Sequence, residues 1–339
     1  MKALVFHGEC DLRYEEVPFP ETKDNEALIR VKAVGICGSD VHGYLGKTGR
    51  RTPPMIMGHE FSGMVEKVGS AVKNFKIGKK VVVFPSAGCR HCSYCQKGAV
   101  NQCPDKKVLG SFTTNGAMAE YISVRGDLLF PLPIENEYTH GALAEPLGVA
   151  LRAVNKADIH PETTITIVGS GVIGLMCLIL AKRQKPKTVA VVDIVDSRLD
   201  LALELGADFV FNPKTCEPSG LTNDPLHGGT DVVIEAVGVA KTVQQSIQWA
   251  ARGGKIVIVG LSQKLMELDM HEIVNKEVRI EGSFLYNRQD FQTILKELPA
   301  LGPSLDKLIS LIAPLREGVN LFKRLAEMDE KLLKVILTD

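Results

Sequence analysis

Residues 164–175 read TITIVGSGVIGL, an apolar, β-prone run that leads through Gly169, Gly171 and Gly174 into an apolar helical stretch. This is the pattern G-x-G-x-x-G between a strand and a helix. The first glycine permits a tight turn, the second lets a pyrophosphate approach the backbone, and the third lets the helix pack close to the strand. Free N–H groups at the start of the helix then bind the phosphates. The segment predicts a dinucleotide site.

A carboxylate stands at the end of the next apolar run. Asp193 closes TVAVVD, residues 188–193, where a carboxylate accepts hydrogen bonds from the adenosine ribose hydroxyls. Because it also repels a 2′-phosphate, NAD is favoured over NADP. Arg198 either lies along the adenine or ribose or is a solvated helix residue. The predicted cofactor-binding residues are Gly169, Gly171, Val172, Ile173, Gly174, Asp193 and Arg198.

The pattern around this turn divides the chain. From about residue 163, apolar runs alternate with amphipathic helical stretches, which indicates a parallel sheet covered by helices. The earlier residues are rich in glycine, proline and short β-prone runs such as 28–34 and 80–84, which indicates a mostly β domain. A helix around 290–298 and a strand at 334–337 follow. We predict an α/β protein with a catalytic domain at 1–150, a Rossmann cofactor domain at 151–286 and a return to the catalytic domain at 287–339.

The composition excludes several classes of protein. The 339 residues hold 40 lysines and arginines against 40 aspartates and glutamates, so no overall field attracts nucleic acid or an anionic membrane. The N-terminal run MKALVFHGECDLRYEE reaches acidic residues too early for a secretory signal, and no apolar run is long enough to span a bilayer. We expect a cytoplasmic protein whose clustered cysteines are metal ligands rather than disulfides.

Four cysteines, Cys89, Cys92, Cys95 and Cys103, form C-x2-C-x2-C-x7-C in a polar lobe at residues 86–106. Four thiolates on one short lobe close a tetrahedral shell around zinc and leave no coordination position open for chemistry. An iron–sulfur cluster is the alternative, since its bacterial pattern shares the early spacings and the following proline but has a shorter last gap. The lobe predicts a structural zinc site.

A second set of potential ligands is dispersed: Cys37, His59, Glu60 and Glu145. No close spacing marks them as a site. A cysteine in a β-prone region is usually a core residue, and a histidine beside a glutamate is usually an ordinary polar pair.

Taken together, these segments resemble the zinc-dependent medium-chain alcohol dehydrogenase family. The triplet at 58–60, Gly-His-Glu, with Gly63, Gly69 and Val72, matches its zinc signature, and the cysteine lobe and glycine turn follow in family order. The resemblance covers essentially the whole chain and implies a GroES-like catalytic domain beside the Rossmann domain. The run Glu-Pro-Leu at 145–147 resembles the polyol branch, typified by sorbitol dehydrogenase, which has glutamate in place of a third-ligand cysteine.

The resemblance implies two zinc ions per chain, one structural and one catalytic. The catalytic ion would be held by Cys37, His59 and a carboxylate, either Glu60 or Glu145. Such an ion with an open position lowers the pKa of an alcohol oxygen, so that a hydride can leave for the nicotinamide. Ser39 and His42 match the relay residues of the family, which implies that the proton passes from the alcohol to Ser39, to the cofactor ribose and to His42. Asp40 is expected to orient His59.

The expected reaction is hydride transfer between NAD(H) and a secondary alcohol of a polyol, a sugar alcohol or a sugar-alcohol phosphate. The threonine 3-dehydrogenase reaction is the alternative. Tyr44 and Tyr286 are expected to border the substrate, although Leu285 stands where sorbitol dehydrogenases often have arginine. The basic loop from Lys47 through Arg50 to Arg51 either receives a substrate phosphate or is simply solvated.

Two other classes of protein compete with an enzyme. A non-catalytic cofactor-binding or sensing protein would have lost the open-site ligands, which are all present, and a zinc-ribbon nucleic-acid binder conflicts with the neutral charge. The run at 255–260 and the residues after it resemble the region through which relatives join edge to edge. We therefore expect a homodimer or homotetramer.

Overall fold

The chain forms two units, one of which is interrupted by the other. In the computed structural model, which describes residues 1–133, 137–215 and 228–339, the first unit comprises Met1–Glu145 with Asn287–Asp339, and the second comprises Pro146–Tyr286. The boundary predicted from the sequence lay at residue 150.

Short strands predominate in the first unit, and helices alternate with strands in the second. The strands are β1 (Lys2–Gly8), β2 (Asp11–Glu16), β3 (Glu26–Gly35), β4 (Met55–Ile56), β5 (Glu60–Val68), β6 (Lys80–Val83), β7 (Ser86–Ala87), β8 (Lys107–Val108), β9 (Tyr121–Arg125), β10 (Leu129–Pro131), β11 (Thr164–Val168), β12 (Thr188–Val192), β13 (Phe209–Phe211), β14 (Thr230–Glu235), β15 (Ala250–Ile258), β16 (Arg279–Gly282), β17 (Ile309–Pro314) and β18 (Lys334–Thr338). The helices are α1 (Gly38–Tyr44), α2 (Ser93–Gln96), α3 (Tyr138–Ala142), α4 (Ala144–Ala157), α5 (Val172–Arg183), α6 (Asp196–Glu204), α7 (Ala240–Trp249), α8 (Met270–Lys276), α9 (Arg288–Asp306) and α10 (Gly318–Ala326).

The first unit is built around β3. Its alternate residues Ala27, Ile29, Val31 and Ala33 are buried, which is the period of a strand with one face in a core. The main sheet has the order β10-β6-β5-β3-β18-β17, and β9 also pairs with β3. The mostly β character predicted for this part of the chain is confirmed.

The register of this sheet brings distant residues together at the end of β3. Gly35 lies opposite Glu60 of β5 on one side and opposite Ile336 of β18 on the other. Cys37 follows two residues after Gly35 and begins α1. The end of β3 therefore has a segment from near residue 60 and a segment from the C-terminal strand as its neighbours.

The second unit contains a parallel sheet of order β13-β12-β11-β14-β15-β16. Its central strands β11, β12 and β14 are nearly continuous runs of buried residues, most of them apolar, as expected where helices cover both faces. The strand order reverses between β11 and β14, which is where open sheets of this kind bind ligands. The predicted doubly wound cofactor domain is confirmed.

The run at 255–260 and the residues after it, expected to join subunits edge to edge, lie on one side of this sheet. β15 is paired with both β14 and β16, so it is not itself an edge strand, and the expected subunit contact stays a prediction. The edge strand on this side is β16. Among the described helices, none is both long and apolar enough to cross a bilayer.

Candidate active site and metal centres

Cys37 begins the short helix α1, and the helix start fixes its position. The Sγ atom accepts a hydrogen bond from the Ser39 N–H at 3.4 Å, and the Cys37 N–H donates to Asp40 Oδ2 at 3.3 Å. The Asp40 N–H also bonds to the Cys37 side chain, and this bond and the one from the Cys37 N–H to Asp40 form a capping box. A capping box satisfies N–H groups that a helix start otherwise leaves free. The cysteine side chain is half-buried, so it is both held and accessible.

His59 and Glu60 stand where the chain enters β5. Gly58 precedes them with φ +94°, and a Cβ there would lie 2.8 Å from the Met118 side chain, so only glycine suits this position. Gly35, opposite Glu60, leaves the space that the carboxylate occupies, because a Cβ would lie 2.1 Å from Glu60 Oε2. The two glycines let a histidine and a carboxylate enter the core together.

The structure brings the side-chain ligand atoms of Cys37, His59 and Glu60 within 4.8 Å of one another. A thiolate, an imidazole and a carboxylate are ligands that zinc accepts. Burial tends to lower the pKa of His59, but the negative charges of Asp40 and Cys37 outweigh it and hold that pKa well above its usual range. The cluster thus carries excess negative charge, which a divalent cation can offset in place of a proton. These residues fit zinc.

Glu145 lies close to this cluster, but the described residues whose ligand atoms lie within 4.8 Å of one another there do not include it. It is buried in the first turn of α4, and its charge acts on both His59 and Lys334. The sequence left Glu60 and Glu145 as alternative ligands, and the structure brings Glu60 nearer to Cys37 and His59.

Lys334 also belongs to this cluster, and its role there has almost no signal in the sequence. Its Nζ donates to Glu60 Oε2 at 2.6 Å and to the Ile36 carbonyl at 3.1 Å, and its side chain is 2% exposed. Burial alone would lower the pKa of Lys334, but the negative charges of Glu60 and Cys37 have the larger effect, and the pKa is raised. The one signal in the sequence is a lysine at the head of an otherwise apolar strand.

One residue of the basic loop, Arg51, has a buried side chain that reaches the candidate metal site. Arg51 donates from Nη2 to Asp40 Oδ1 at 2.8 Å, and its side chain is only 4% exposed. The suggestion that Arg51 receives a substrate phosphate is therefore wrong, because its guanidinium is already paired with a buried carboxylate. Lys47 of the same loop is exposed.

Ser39 and His42, the residues predicted to carry the proton, both lie on α1. They are three positions apart, so they share one face of the helix. Ser39 is exposed and His42 is half-buried. Burial, followed by the positive charge of Lys47, lowers the pKa of His42, which favours the neutral imidazole that can accept a proton.

The two tyrosines predicted to border the substrate are both buried. Tyr44 meets Phe322 of α10 edge-on, with ring centroids 5.7 Å apart. Tyr286 is 1% exposed, and a Cβ on Gly148 would lie 2.9 Å from its ring. Their role beside the substrate stays a prediction.

The cysteine lobe is a second candidate metal centre. The sulfur atoms of Cys89, Cys92, Cys95 and Cys103 lie within 4.8 Å of one another. Backbone N–H groups point at the sulfurs, as from Cys92 to Cys89 Sγ at 3.4 Å, and hydrogen bonds from the His91 and Cys92 backbone lower the pKa of Cys89 to about 6. Such donors favour the thiolates that bind zinc. This donor set fits a structural zinc ion.

The glycine turn of the second unit has the form that a pyrophosphate needs. Gly169 has φ +95°, and a Cβ on Gly174 would lie 1.8 Å from the Gly169 carbonyl oxygen, so the helix packs directly on the turn. A Cβ on Gly171 would meet open space. Val172 and Ile173 follow as the first residues of α5, whose start receives no side-chain cap from the described residues. Their N–H groups can bind a phosphate.

Asp193 stands beside this turn. Its carboxylate accepts the Ser170 N–H at 2.6 Å and the Val195 N–H at 3.0 Å. Arg198 lies half-buried in α6, and no described residue hydrogen-bonds its buried Nε atom. A carboxylate and an unsatisfied guanidinium nitrogen beyond the glycine turn fit the ribose end of a dinucleotide.

Comparison with known proteins agrees with this geometry. Residues 23–134 match the alcohol dehydrogenase GroES-like domain, and residues 172–300 match the zinc-binding dehydrogenase domain. The sorbitol dehydrogenase of Bacillus subtilis (strain 168) is 38% identical over 294 residues, which is 84% of this chain and 82% of the relative.

Two solved structures share the whole fold. A protein from Sinorhizobium meliloti 1021, described as a zinc-binding dehydrogenase and solved with NADP, has a TM-score of 0.92 and 32% identity, and covers 100% of this chain and 99% of its own. Galactitol-1-phosphate dehydrogenase from Escherichia coli has a TM-score of 0.93 and 29% identity, with 100% of both chains covered.

A dinucleotide fold combined with a buried thiolate–imidazole–carboxylate cluster defines the class of metal-dependent dehydrogenases. Within this class, the chain belongs to the zinc-binding alcohol dehydrogenase family. The family assignment and the α/β fold class predicted from the sequence are both confirmed.

Removal of a lobe ligand tests the structural centre. We expect Cys103→Ser to lower the zinc content from two ions to one per chain and to lower the thermal midpoint, because a structural ion contributes its binding energy to folding. Each kcal/mol lost should move the midpoint by about 2–4 °C. Metal analysis and differential scanning calorimetry measure both effects. The exposed Cys10 provides the control, Cys10→Ser. Unchanged zinc in Cys103→Ser would contradict this role.

Replacement of Lys334 tests the buried ion pair. Lys334→Met leaves the Glu60 carboxylate buried without its cation, and we expect a loss of about 3–5 kcal/mol in the free energy of unfolding of the metal-free protein. Urea unfolding measures it. Adding Glu60→Gln should recover most of the loss. The exposed Lys331 gives the control, and Lys331→Met should change stability by less than about 0.5 kcal/mol. Equal stability of the two lysine variants would argue against the pair.

Proposed function

We propose that the protein is a zinc-dependent dehydrogenase that transfers a hydride between a secondary alcohol of a polyol or sugar alcohol and NAD(H). The observation that carries the proposal is the cluster of Cys37, His59 and Glu60 within 4.8 Å, with excess negative charge. A member of the alcohol dehydrogenase family with this ligand set can hold a catalytic zinc ion.

Each residue of the cluster has a distinct task in this proposal. Cys37, His59 and Glu60 would hold zinc, and Lys334 keeps one oxygen of Glu60 in place. Zinc bound there supplies Lewis acidity for the alcohol oxygen. Glu145 adds a buried negative charge next to the ligands. The sequence prediction of a ligand role for Glu145 stays open as a proposal.

The proton of the alcohol needs a path to solvent, and α1 offers one. Ser39 is exposed beside Cys37, with its N–H bonded to the cysteine sulfur. His42 lies one turn further along, with a lowered pKa. We assign these residues as the proton carriers, with Ser39 taking the proton from the substrate side and His42 passing it on.

The second unit binds the cofactor in this proposal. The glycine turn and the start of α5 take the pyrophosphate, and Asp193 takes the ribose hydroxyls. The Sinorhizobium meliloti relative was solved with NADP, but a carboxylate at residue 193 disfavours a 2′-phosphate. NAD is therefore the proposed cofactor.

The unphosphorylated polyol is favoured over its phosphate. Sorbitol dehydrogenase and galactitol-1-phosphate dehydrogenase are both similar to this chain, so similarity alone does not decide. Of the three basic residues that the sequence offered for a phosphate, Lys47, Arg50 and Arg51, the last is paired with Asp40. Its engagement removes one reason to expect a phosphate ester.

Assembly as a homodimer or homotetramer remains part of the proposal. The edge strand β16 leaves backbone groups for a second copy of the chain, and Ile280 of that strand is exposed. Leu261 and Leu265, just after β15, are also exposed apolar residues.

The proposed location is the cytoplasm, because its reducing conditions keep clustered cysteines available as metal ligands.

A substrate panel tests the proposed reaction. We expect NAD reduction with sorbitol or galactitol to exceed that with galactitol 1-phosphate or threonine by at least about tenfold in kcat/KM, since the guanidinium of Arg51 is already paired with Asp40. Cys37→Ala should abolish turnover but keep the zinc of the cysteine lobe. A preference for the phosphate ester or for threonine would overturn the substrate assignment, and full activity in Cys37→Ala would overturn the mechanism.

Replacement of Asp193 tests the cofactor. In Asp193→Asn we expect the preference for NAD over NADP, measured as the ratio of kcat/KM values, to fall by about 10–100-fold, because a hydrogen bond to a charged group contributes about 1.5–3 kcal/mol. Asp200, exposed on α6, is the control, and Asp200→Asn should leave the ratio unchanged. A ratio that does not move in Asp193→Asn would exclude this carboxylate as the determinant.

A further inference from the structure

Arg51 is an unusual loop residue because its guanidinium lies in the interior of the first unit. Nη2 donates to Asp40 Oδ1 at 2.8 Å, and Nη1 donates to Ser111 Oγ at 3.1 Å. The backbone of the same loop bonds the segment that contains Ser111, since Phe112 N–H donates to the Arg50 carbonyl at 2.7 Å. The side chain is therefore held in one position from two directions.

Asp40, the partner of Arg51, touches the segments of two metal ligands at once. Its Oδ2 accepts the Cys37 N–H at 3.3 Å, and its Oδ1 lies 3.7 Å from His59 Nδ1. The carboxylate is fully buried, at 0% side-chain exposure. A shift of this one group would move both the start of α1 and the orientation of the histidine ring.

The fold makes specific room for this pair. Gly43 lies on α1 one turn after Asp40, and a Cβ at that position would lie 2.8 Å from Arg51 Cγ. Any other residue there would collide with the stem of the arginine. The helix that begins with Cys37 thus has a glycine where the arginine crosses it.

Arg51 also supplies the charge that Asp40 needs. A buried carboxylate without a cation is strongly destabilising. Arginine stays charged at every physiological pH, and its Nη2 atom lies 2.8 Å from Asp40 Oδ1. Arg51 is therefore a permanent counter-charge for this carboxylate.

We propose that Arg51 is a positioning residue of the catalytic metal site, acting through Asp40 on Cys37 and His59. The inference rests on the proposed function, because it assumes that these ligands hold zinc. Loss of the arginine leaves Asp40 free to move. The Cys37 N–H then loses the acceptor that fixes it, the carboxylate 3.7 Å from His59 Nδ1 is displaced, and the metal site loosens. The cysteine lobe shares no residue with this network.

The experiment compares Arg51→Met, Arg51→Lys and Lys47→Met with the unaltered chain. Lys47 is exposed in the same loop, so its replacement removes one positive charge without touching Asp40. Zinc per chain is measured after dialysis against graded chelator, and cobalt is substituted for zinc to record visible absorption bands. We expect Arg51→Met to bind the catalytic ion about 10–100-fold more weakly, with shifted cobalt bands and the lobe zinc retained.

The controls separate a positioning role from simple damage. Arg51→Lys should restore part of the affinity, and Lys47→Met should match the unaltered chain. In an Asp40→Asn background, Arg51→Met should add little, because both changes break the same link. Additive losses, or unaltered cobalt bands and affinity in Arg51→Met, would overturn the proposal. If the unaltered chain held only the lobe zinc, the proposed function would fail instead.

Discussion

The organisation of the first unit depends on a concentration of buried negative charge at the end of β3. Four groups there are anionic when they are ready to bind a metal, and three of them are buried. Among the described residues, two cations pair with members of this cluster, and a divalent ion would offset more of its negative charge. The anionic groups are Cys37, Asp40, Glu60 and Glu145, and the cations are Arg51 and Lys334.

This constraint explains why the sequence provides an elaborate frame for a few ligands. Charge in a core is tolerated only where it is paired and hydrogen-bonded. The capping box of α1 holds the cysteine, and a glycine at 58 turns the histidine inward. The β3 register sets Glu60 beside the strand that carries Lys334. Each element removes one way in which the buried charges could be left without a partner.

The second unit and the cysteine lobe were predictable from local sequence, because their chemistry lies in short spacings. The glycine turn and the four cysteines each occupy a few adjacent residues. The dispersed ligands were not predictable in this way, and only their resemblance to a family joined them. The roles of Lys334 and Arg51 could not be predicted from the sequence, because they depend on contacts that form only on folding. The bond between Lys334 and Glu60 spans 274 residues.

The contact between Tyr286 and Gly148 has a consequence for how such a chain can be assembled. These residues stand at the two ends of the second unit, and the ring packs directly on the glycine. The polypeptide therefore enters and leaves the second unit at two points that are in contact. A domain whose termini lie close together can be inserted into a loop of another domain at small entropic cost. The packing of Tyr286 on Gly148 holds the two ends of the inserted unit together.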